Sequence, residues 1–187
     1  MPWSKWSVKE ISGQSASAPS SATAFGKAGL AATFVLTSLS FQAMADQAAD
    51  LRGPARIIDG DSLEVAGRVF DLPGIDAPEL DQRCRRKERD YPCGSLAQAA
   101  LMDLTAGVDV VCRRLSDQKA RCSAGGYDLS EGMIYTGWAL IPPANAGSPF
   151  ATLQQQAEER QHGLWKGSFV TPWDWRQGQR LPGEADN

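Results

Sequence analysis

The sequence predicts an α+β domain in which a small five-stranded β-barrel carries about three helices. Two observations predict the strands: short β-prone runs recur along the chain, and Gly, Pro or Asp-Gly turn signals separate them. A third observation predicts helix, because apolar residues recur at helical spacing between residues 95 and 107. Five short strands with interspersed helices are typical of barrels of the oligonucleotide/oligosaccharide-binding (OB) type.

The first three strands are expected to form a meander. Their runs are residues 55–59, 62–66 and 68–72. The pair Gly60-Asp61 supplies the first turn signal and Gly67 the second, whereas Pro73 and Gly74 end the third run. An arginine-rich stretch, 81–93, is expected to follow as a loop.

Helices and strands alternate in the rest of the domain. Ser95 can cap a helix that ends before Gly107. Two further strands are predicted, at residues 108–112 and 120–123. A short helix is expected over 129–135, and a last one is opened by Pro149 at its first turn and closed by Gly163.

Length and composition exclude several classes of protein. The 187 residues are 42% hydrophobic and 22% charged, which indicates one globular domain with appendages rather than a disordered chain, a collagen or a coiled coil. No apolar run reaches the ~18 charge-free residues of a membrane helix, so we expect no stable membrane span. With a formal net charge of -3, any contact with nucleic acid must be local.

The first 45 residues are predicted to be a leader. Lys27 precedes an apolar run that ends in the small-residue pattern A-M-A at Ala45, as in a secretory signal peptide. We therefore expect cleavage after Ala45 and export to the periplasm or the medium. The remaining chain divides into a linker, a folded domain and a polar tail, at residues 46–54, 55–177 and 178–187.

All four cysteines follow the predicted leader. An even number of cysteines in an exported chain indicates disulfides rather than metal ligands. Three pairings are possible, and we prefer Cys84–Cys93 with Cys112–Cys122, because each pair is close in sequence and the second brackets a predicted hairpin. A zinc site is the alternative, but the chain has no C-x-x-C motif.

Two acidic motifs are the most informative part of the sequence. The motif D-G-D spans 59–61 and I-D-A-P-E spans 75–79, each beside a turn at a predicted strand end. A hairpin between them would bring both motifs to one end of a sheet. Carboxylates without Cys or His are typical of sites for Ca²⁺ or Mg²⁺. For D-G-D alone, an ordinary surface turn is the alternative.

The combination of motifs resembles the staphylococcal nuclease (thermonuclease) family. The similarity covers about residues 55–177 and keeps the order of the motifs D-G-D-S-L, G-I-D-A-P-E, G-W-A-L, G-L-W and P-W-D-W-R. This resemblance implies an OB-type barrel and a Ca²⁺-dependent hydrolase of phosphodiester bonds in DNA and RNA.

The resemblance also implies roles for individual residues. Asp61 and Asp76 would bind calcium together with the backbone carbonyl of Ala77, and Asp59 would act through a water molecule. Glu79 would orient or deprotonate the attacking water. In such chemistry the cation binds a phosphate oxygen and positions water for in-line attack.

Two arginines that the family uses to neutralise phosphate are changed or uncertain here. Asp71 stands at the position of the first. For the second, alignment from Asp117 selects Arg121, whereas alignment from Cys122 places Asp117 there. Loss of one such donor typically lowers a rate by about 10²–10³, and a carboxylate in its place adds repulsion. We therefore expect reduced activity.

A basic run follows the acidic motifs and begins with Arg83, Arg85 and Arg86. It could guide a phosphate backbone, although a solvated loop is the alternative. Two main hypotheses result: an exported nuclease of reduced activity, or an inactive homologue that binds nucleic acid or protein in the cell envelope. A purely structural domain is a third. The sequence leaves open whether the protein is an enzyme and which oligomer it forms.

Overall fold

The computed structural model describes residues 50–183. The predicted leader, its cleavage after Ala45 and the last residues of the predicted tail lie outside the described residues. Between residues 50 and 183, no helix has the length and apolar character needed to cross a membrane.

The described chain is an α+β domain made of short strands and four α-helices. The strands are β1 (Leu51–Gly53), β2 (Ala55–Ile57), β3 (Ser62–Val65), β4 (Arg68–Asp71), β5 (Cys84–Arg86), β6 (Arg89–Tyr91), β7 (Val110–Arg114), β8 (Ala120–Ala124) and β9 (Tyr127–Asp128). The helices are α1 (Cys93–Thr105), α2 (Leu129–Tyr135), α3 (Ala151–Glu159) and α4 (Pro172–Arg176), and two 3₁₀ segments cover Pro143–Asn145 and Gly163–Lys166. The predicted α+β class is confirmed.

The strands form three antiparallel sheets, in the orders β1-β7-β8-β9, β2-β3-β4 and β5-β6. The meander β2-β3-β4 is the one predicted, and Gly67 makes its second turn with a φ of +76°. The ladders of the described strands do not close into a barrel. The first two sheets meet through a single bridge between Asp71 and Lys119.

The helix predictions agree with the structure in position. The helix α2 covers the predicted residues, and α3 begins two residues after Pro149. The helix α1 begins at Cys93, slightly before the predicted cap at Ser95. Asp128 caps α2, because its side chain accepts a hydrogen bond from the backbone N–H of Glu131.

The expectation of a loop at 81–93 is wrong, because β5 and β6 form a hairpin there. Lys87 and Glu88 make its turn with positive φ angles. Two distant attachments hold the hairpin: the disulfide to Cys93, and a backbone bridge between Arg85 and Ser168. The disulfide follows from the spacing of the cysteines, whereas the bridge to Ser168 has no signal in the local sequence pattern.

Both predicted disulfides are confirmed. Cys84 pairs with Cys93, and Cys112 pairs with Cys122 across neighbouring strands. The first disulfide belongs to a small second core, whereas the second lies in the main core between the sheets and α1 and α2. Two disulfides are consistent with an exported protein.

Candidate functional site

The first acidic motif forms a tight turn between β2 and β3. The carboxylate of Asp59 orders this turn, since its Oδ1 accepts hydrogen bonds from the backbone N–H groups of Asp61 at 3.0 Å and Ser62 at 2.7 Å. Gly60 has no room for a side chain, because a Cβ there would lie 2.6 Å from the Cβ of Ala77. The glycine therefore allows the turn to pack directly against the second acidic motif.

Asp61 connects the two motifs. Its Oδ2 accepts a hydrogen bond from the backbone N–H of Ala77 at 2.8 Å, and its backbone carbonyl accepts one from Leu72 at 2.8 Å. Burial, together with the charges of Asp59 and Asp76, raises the pKa of Asp61 to about 8, although the bond from Ala77 opposes the shift. At neutral pH this carboxyl group is therefore largely protonated.

Asp76 and Glu79 are bridged by an arginine from the C-terminal helix α4. The two terminal nitrogens of Arg176 donate to the two carboxylate oxygens of Asp76 at 3.0 and 2.6 Å, and Nη1 also donates to Oε1 of Glu79 at 2.5 Å. The hydrogen bonds to Asp76 are the main reason why the pKa of Arg176 is raised. We call Asp61, Asp76 and Glu79 the acid cluster.

The fold positions this arginine through a buried glutamine. Gln82 is fully buried; its Oε1 accepts from the backbone N–H of Glu79 at 3.2 Å, and its Nε2 donates to the carbonyl of Val170 at 2.7 Å. The segment that leads into α4 is thereby attached to the second acidic motif. Thr171 then caps α4 through the N–H of Asp174.

Sequence reasoning did not assign roles to Arg176 or Gln82. Arg176 could have been considered as a partner of the acidic motifs, because it is a cation at the end of the motif P-W-D-W-R in a chain with a net negative charge. For Gln82 the single sequence offers no signal.

The side chains as they stand do not fit a calcium ion. Calcium takes six to eight oxygen ligands, whereas the guanidinium of Arg176 occupies both oxygens of Asp76 and one of Glu79. One oxygen of Asp61 is already bonded to a backbone N–H. Within residues 50–183, no group of three or more His, Cys, Asp or Glu side chains is arranged to hold a metal.

Asp71, where the resemblance to staphylococcal nuclease predicts an arginine, is open to solvent. Asp71 ends β4, and its backbone N–H donates to the carbonyl of Gln118 at 2.8 Å. Neither Arg56 nor Arg68 pairs with its carboxylate; Arg56 pairs with Glu64 instead. Asp71 therefore brings an exposed negative charge to this edge.

The position at which the resemblance predicts a second arginine is held by Asp117 or by Arg121, depending on the alignment. Cys112 and Cys122 face each other across β7 and β8, which favours the alignment that places Asp117 there. Asp117 pairs with Arg114 at 3.1 Å. Arg121, the other candidate, lies 3.8 Å from Asp128.

The three candidate substrate-binding arginines have different surroundings. Arg83 is exposed, just before β5. Arg85 donates to Asp90 at 2.7 Å and to the carbonyl of Pro182 at 2.6 Å. Arg86 lies on the hairpin opposite Arg89.

Fold and site together define a disulfide-bonded α+β domain whose acid cluster is bridged by an internal arginine. No family model matches the sequence. The succinoglycan biosynthesis protein ExoI of Rhizobium meliloti (strain 1021) is 31% identical over 140 residues, which cover 71% of this chain and 73% of that protein. The chain belongs to the family of this protein.

Proposed function

We propose that this chain is an exported, staphylococcal-nuclease-like protein that has lost efficient phosphodiester hydrolysis and acts as a non-catalytic binding module of the cell envelope. The observation that carries the proposal is the bridge from Arg176 to Asp76 and Glu79. These two carboxylates would have to be free to bind a cation or to orient water, yet both already have a counter-charge.

The electrostatics around the cluster support the same conclusion. Asp71 is acidic where a phosphate-neutralising arginine is expected from the family resemblance, and Asp117 is its counterpart at the second position. A phosphate group approaching Asp71 would meet a carboxylate that is unpaired among the described residues, although solvent screens the repulsion because this side chain is exposed. The proposed architecture is the OB-type barrel of that family, opened here into separate sheets.

The name of the relative suggests a setting for such a module. The protein ExoI is named for succinoglycan biosynthesis. We extend this setting to the present chain, whose two disulfides suit work outside the cytoplasm. The partner in the envelope would be nucleic acid or protein.

A second candidate is a calcium-dependent nuclease of reduced activity. It is favoured by the convergence of the two acidic motifs, since Asp61 bonds to the backbone of Ala77 next to Asp76. Asp61, Asp76 and the carbonyl of Ala77 would then hold calcium once Arg176 withdrew, with Asp59 nearby. Glu79 would be the residue closest in role to a general base.

Plasmid digestion by the purified protein, with calcium and then with chelator, separates these candidates. We expect no cleavage above buffer by the unmodified protein, and cleavage by Asp71→Arg combined with Arg176→Ala. Asp71→Asn is the matched control, because it removes the repulsion without adding a cation. Arg113→Ala controls for loss of an exposed arginine, since Arg113 pairs with Asp50 elsewhere. Calcium-dependent cleavage by the unmodified protein would refute the non-catalytic module and establish the second candidate.

A further inference from the structure

A cavity of about 360 Å³ lies at the β5-β6 hairpin. Three cations surround it: Arg86 and Arg89 on the hairpin, and Lys166 at the end of the second 3₁₀ segment. The lining also contains three large side chains with apolar surface: Tyr91, Leu96 and Trp138. We call these six residues the basic pocket. Its volume is within the range of small-ligand sites.

The cations of the basic pocket have no carboxylate partner within 4 Å among residues 50–183. The ion pairs of the described chain involve other arginines, and the neighbouring Asp90 is taken by Arg85. The remaining acid of the hairpin, Glu88, lies exposed in its turn. The chain is acidic overall, so three uncompensated cations around one cavity are a local concentration of positive charge.

The pocket is held by tight backbone contacts. The hairpin is fixed to α1 by the disulfide Cys84–Cys93. It is fixed to Ser168 by two backbone hydrogen bonds: the N–H of Arg85 donates to the carbonyl of Ser168 at 2.9 Å, and the N–H of Ser168 donates to the carbonyl of Arg85 at 2.8 Å. A Cβ on Gly167 would lie 2.2 Å from the carbonyl oxygen of Arg85, so glycine permits this close approach. The cations are therefore presented by a fixed frame.

The floor of the pocket is apolar rather than hydrogen-bonding. Leu96 is 41% exposed on the first turns of α1, and Trp138 is only partly buried between the two cores. Burial raises the pKa of the Tyr91 hydroxyl group, and the positive charge of the nearby Arg86 opposes this shift. A ligand that matches this surface combines an anionic head with an apolar body. The edge of a nucleobase would find few polar partners in the floor.

We propose that the basic pocket binds a small amphiphilic anion, with its head group on Arg86, Arg89 and Lys166 and its tail against Leu96 and Trp138. This site is separate from the acid cluster and does not depend on phosphodiester hydrolysis. Charge attraction and apolar burial act together, so neither the head group nor the tail alone should bind well.

Calorimetric titration of the purified protein with decyl phosphate, below its micelle concentration, tests the proposal. We expect binding of decyl phosphate and at least about tenfold weaker binding of inorganic phosphate or decanol. Arg86→Gln with Arg89→Gln should weaken decyl phosphate binding by at least about tenfold, and higher salt should weaken it further. Lys87→Gln is the matched control, since Lys87 lies in the same hairpin outside the pocket lining, and it should change binding less than about twofold.

A second pair of variants tests the apolar part. Leu96→Glu places a carboxylate beside the tail and should abolish binding, whereas Leu115→Glu, at another exposed leucine, should leave it unchanged. Circular dichroism checks that each variant folds. Equal binding of decanol and decyl phosphate, or unchanged binding in the double arginine variant, would overturn the proposal. The proposal would also be overturned if the protein bound a single-stranded oligonucleotide but not decyl phosphate, and if the double arginine variant lost that oligonucleotide binding.

Discussion

The acid cluster and the basic pocket treat charge in opposite ways. At the acid cluster, Arg176 bridges Asp76 and Glu79 from within the chain, and burial raises the pKa of Asp61. At the basic pocket, three cations surround an apolar floor without internal partners among the described residues. The first region therefore has a cation supplied by the chain itself, whereas the cations of the second region face a cavity. The presence of an acidic motif in the sequence therefore does not make its carboxylates available to a ligand.

Substitution of Gly94, which packs against the backbone of Glu79, should give the largest loss of stability. Gly94 follows Cys93 at the start of α1, and a Cβ there would lie 1.7 Å from the carbonyl oxygen of Glu79. Because backbone must move to admit a methyl group, we expect Gly94→Ala to lower the free energy of unfolding by about 3 kcal/mol or more in urea denaturation. Gly147→Ala, which meets open space, should change it by less than about 0.5 kcal/mol. Equal stability of the two variants would contradict this account.

Removal of either disulfide should give the next largest loss of stability, and only one of the two removals should affect the basic pocket. Replacing Cys84 and Cys93 by serine, or Cys112 and Cys122 by serine, should each lower the free energy of unfolding by about 2–3 kcal/mol, since the closed loops are of similar length. Only the first replacement should also weaken decyl phosphate binding, because that disulfide holds the hairpin of the basic pocket. The same affinity in both double variants would show that the hairpin needs no covalent anchor.

Removal of the bridging Arg176 should have a smaller effect on stability, but it should allow the acid cluster to bind calcium. Arg176→Ala should lower the free energy of unfolding by about 1–2 kcal/mol, because two carboxylates lose charged hydrogen bonds at a half-exposed site. Millimolar calcium should then raise the melting temperature of this variant but not that of the unmodified protein or of Arg113→Ala. A calcium-induced rise in the unmodified protein would show that Arg176 does not close the cluster.

The stability of the fold should also depend on pH. The pKa of Asp61 is raised in the folded chain, so the folded state keeps a proton that the unfolded state releases, and the free energy of unfolding falls as pH rises from about 4 to about 8. For one proton the slope is at most about 1.4 kcal/mol per pH unit. With chelator present, Asp61→Asn should flatten this part of the stability profile, while Asp103→Asn, at an exposed residue of α1, should not. A profile for Asp61→Asn that parallels the unmodified protein would contradict burial as the cause of the shift.

The sequence predicted those parts of the fold that depend on local signals. The meander β2-β3-β4 follows from turn residues such as Gly60 and Gly67, and both disulfides follow from the spacing of the cysteines. The hairpin β5-β6 escaped prediction because its support comes from Ser168, more than 80 residues away. Closure of a barrel is likewise a matter of contacts between distant strands, and a periodic pattern does not report it.

The candidate site was predictable to the same extent. The gathering of Asp61, Asp76 and Glu79 follows from two motifs separated by one hairpin. The pairing of these acids with Arg176 could not be predicted from the sequence, because an ion pair between residues about 100 positions apart has no characteristic spacing. The motif P-W-D-W-R does not report the contact of Arg176 with Asp76, because that contact depends on where α4 packs.

One hundred residues separate Asp76 from the arginine that neutralises it. A polypeptide emerging from a ribosome or a translocon therefore presents its carboxylates long before their counter-ion has been synthesised. The carboxylates of the acid cluster therefore repel one another until α4 docks and places the guanidinium of Arg176 between Asp76 and Glu79.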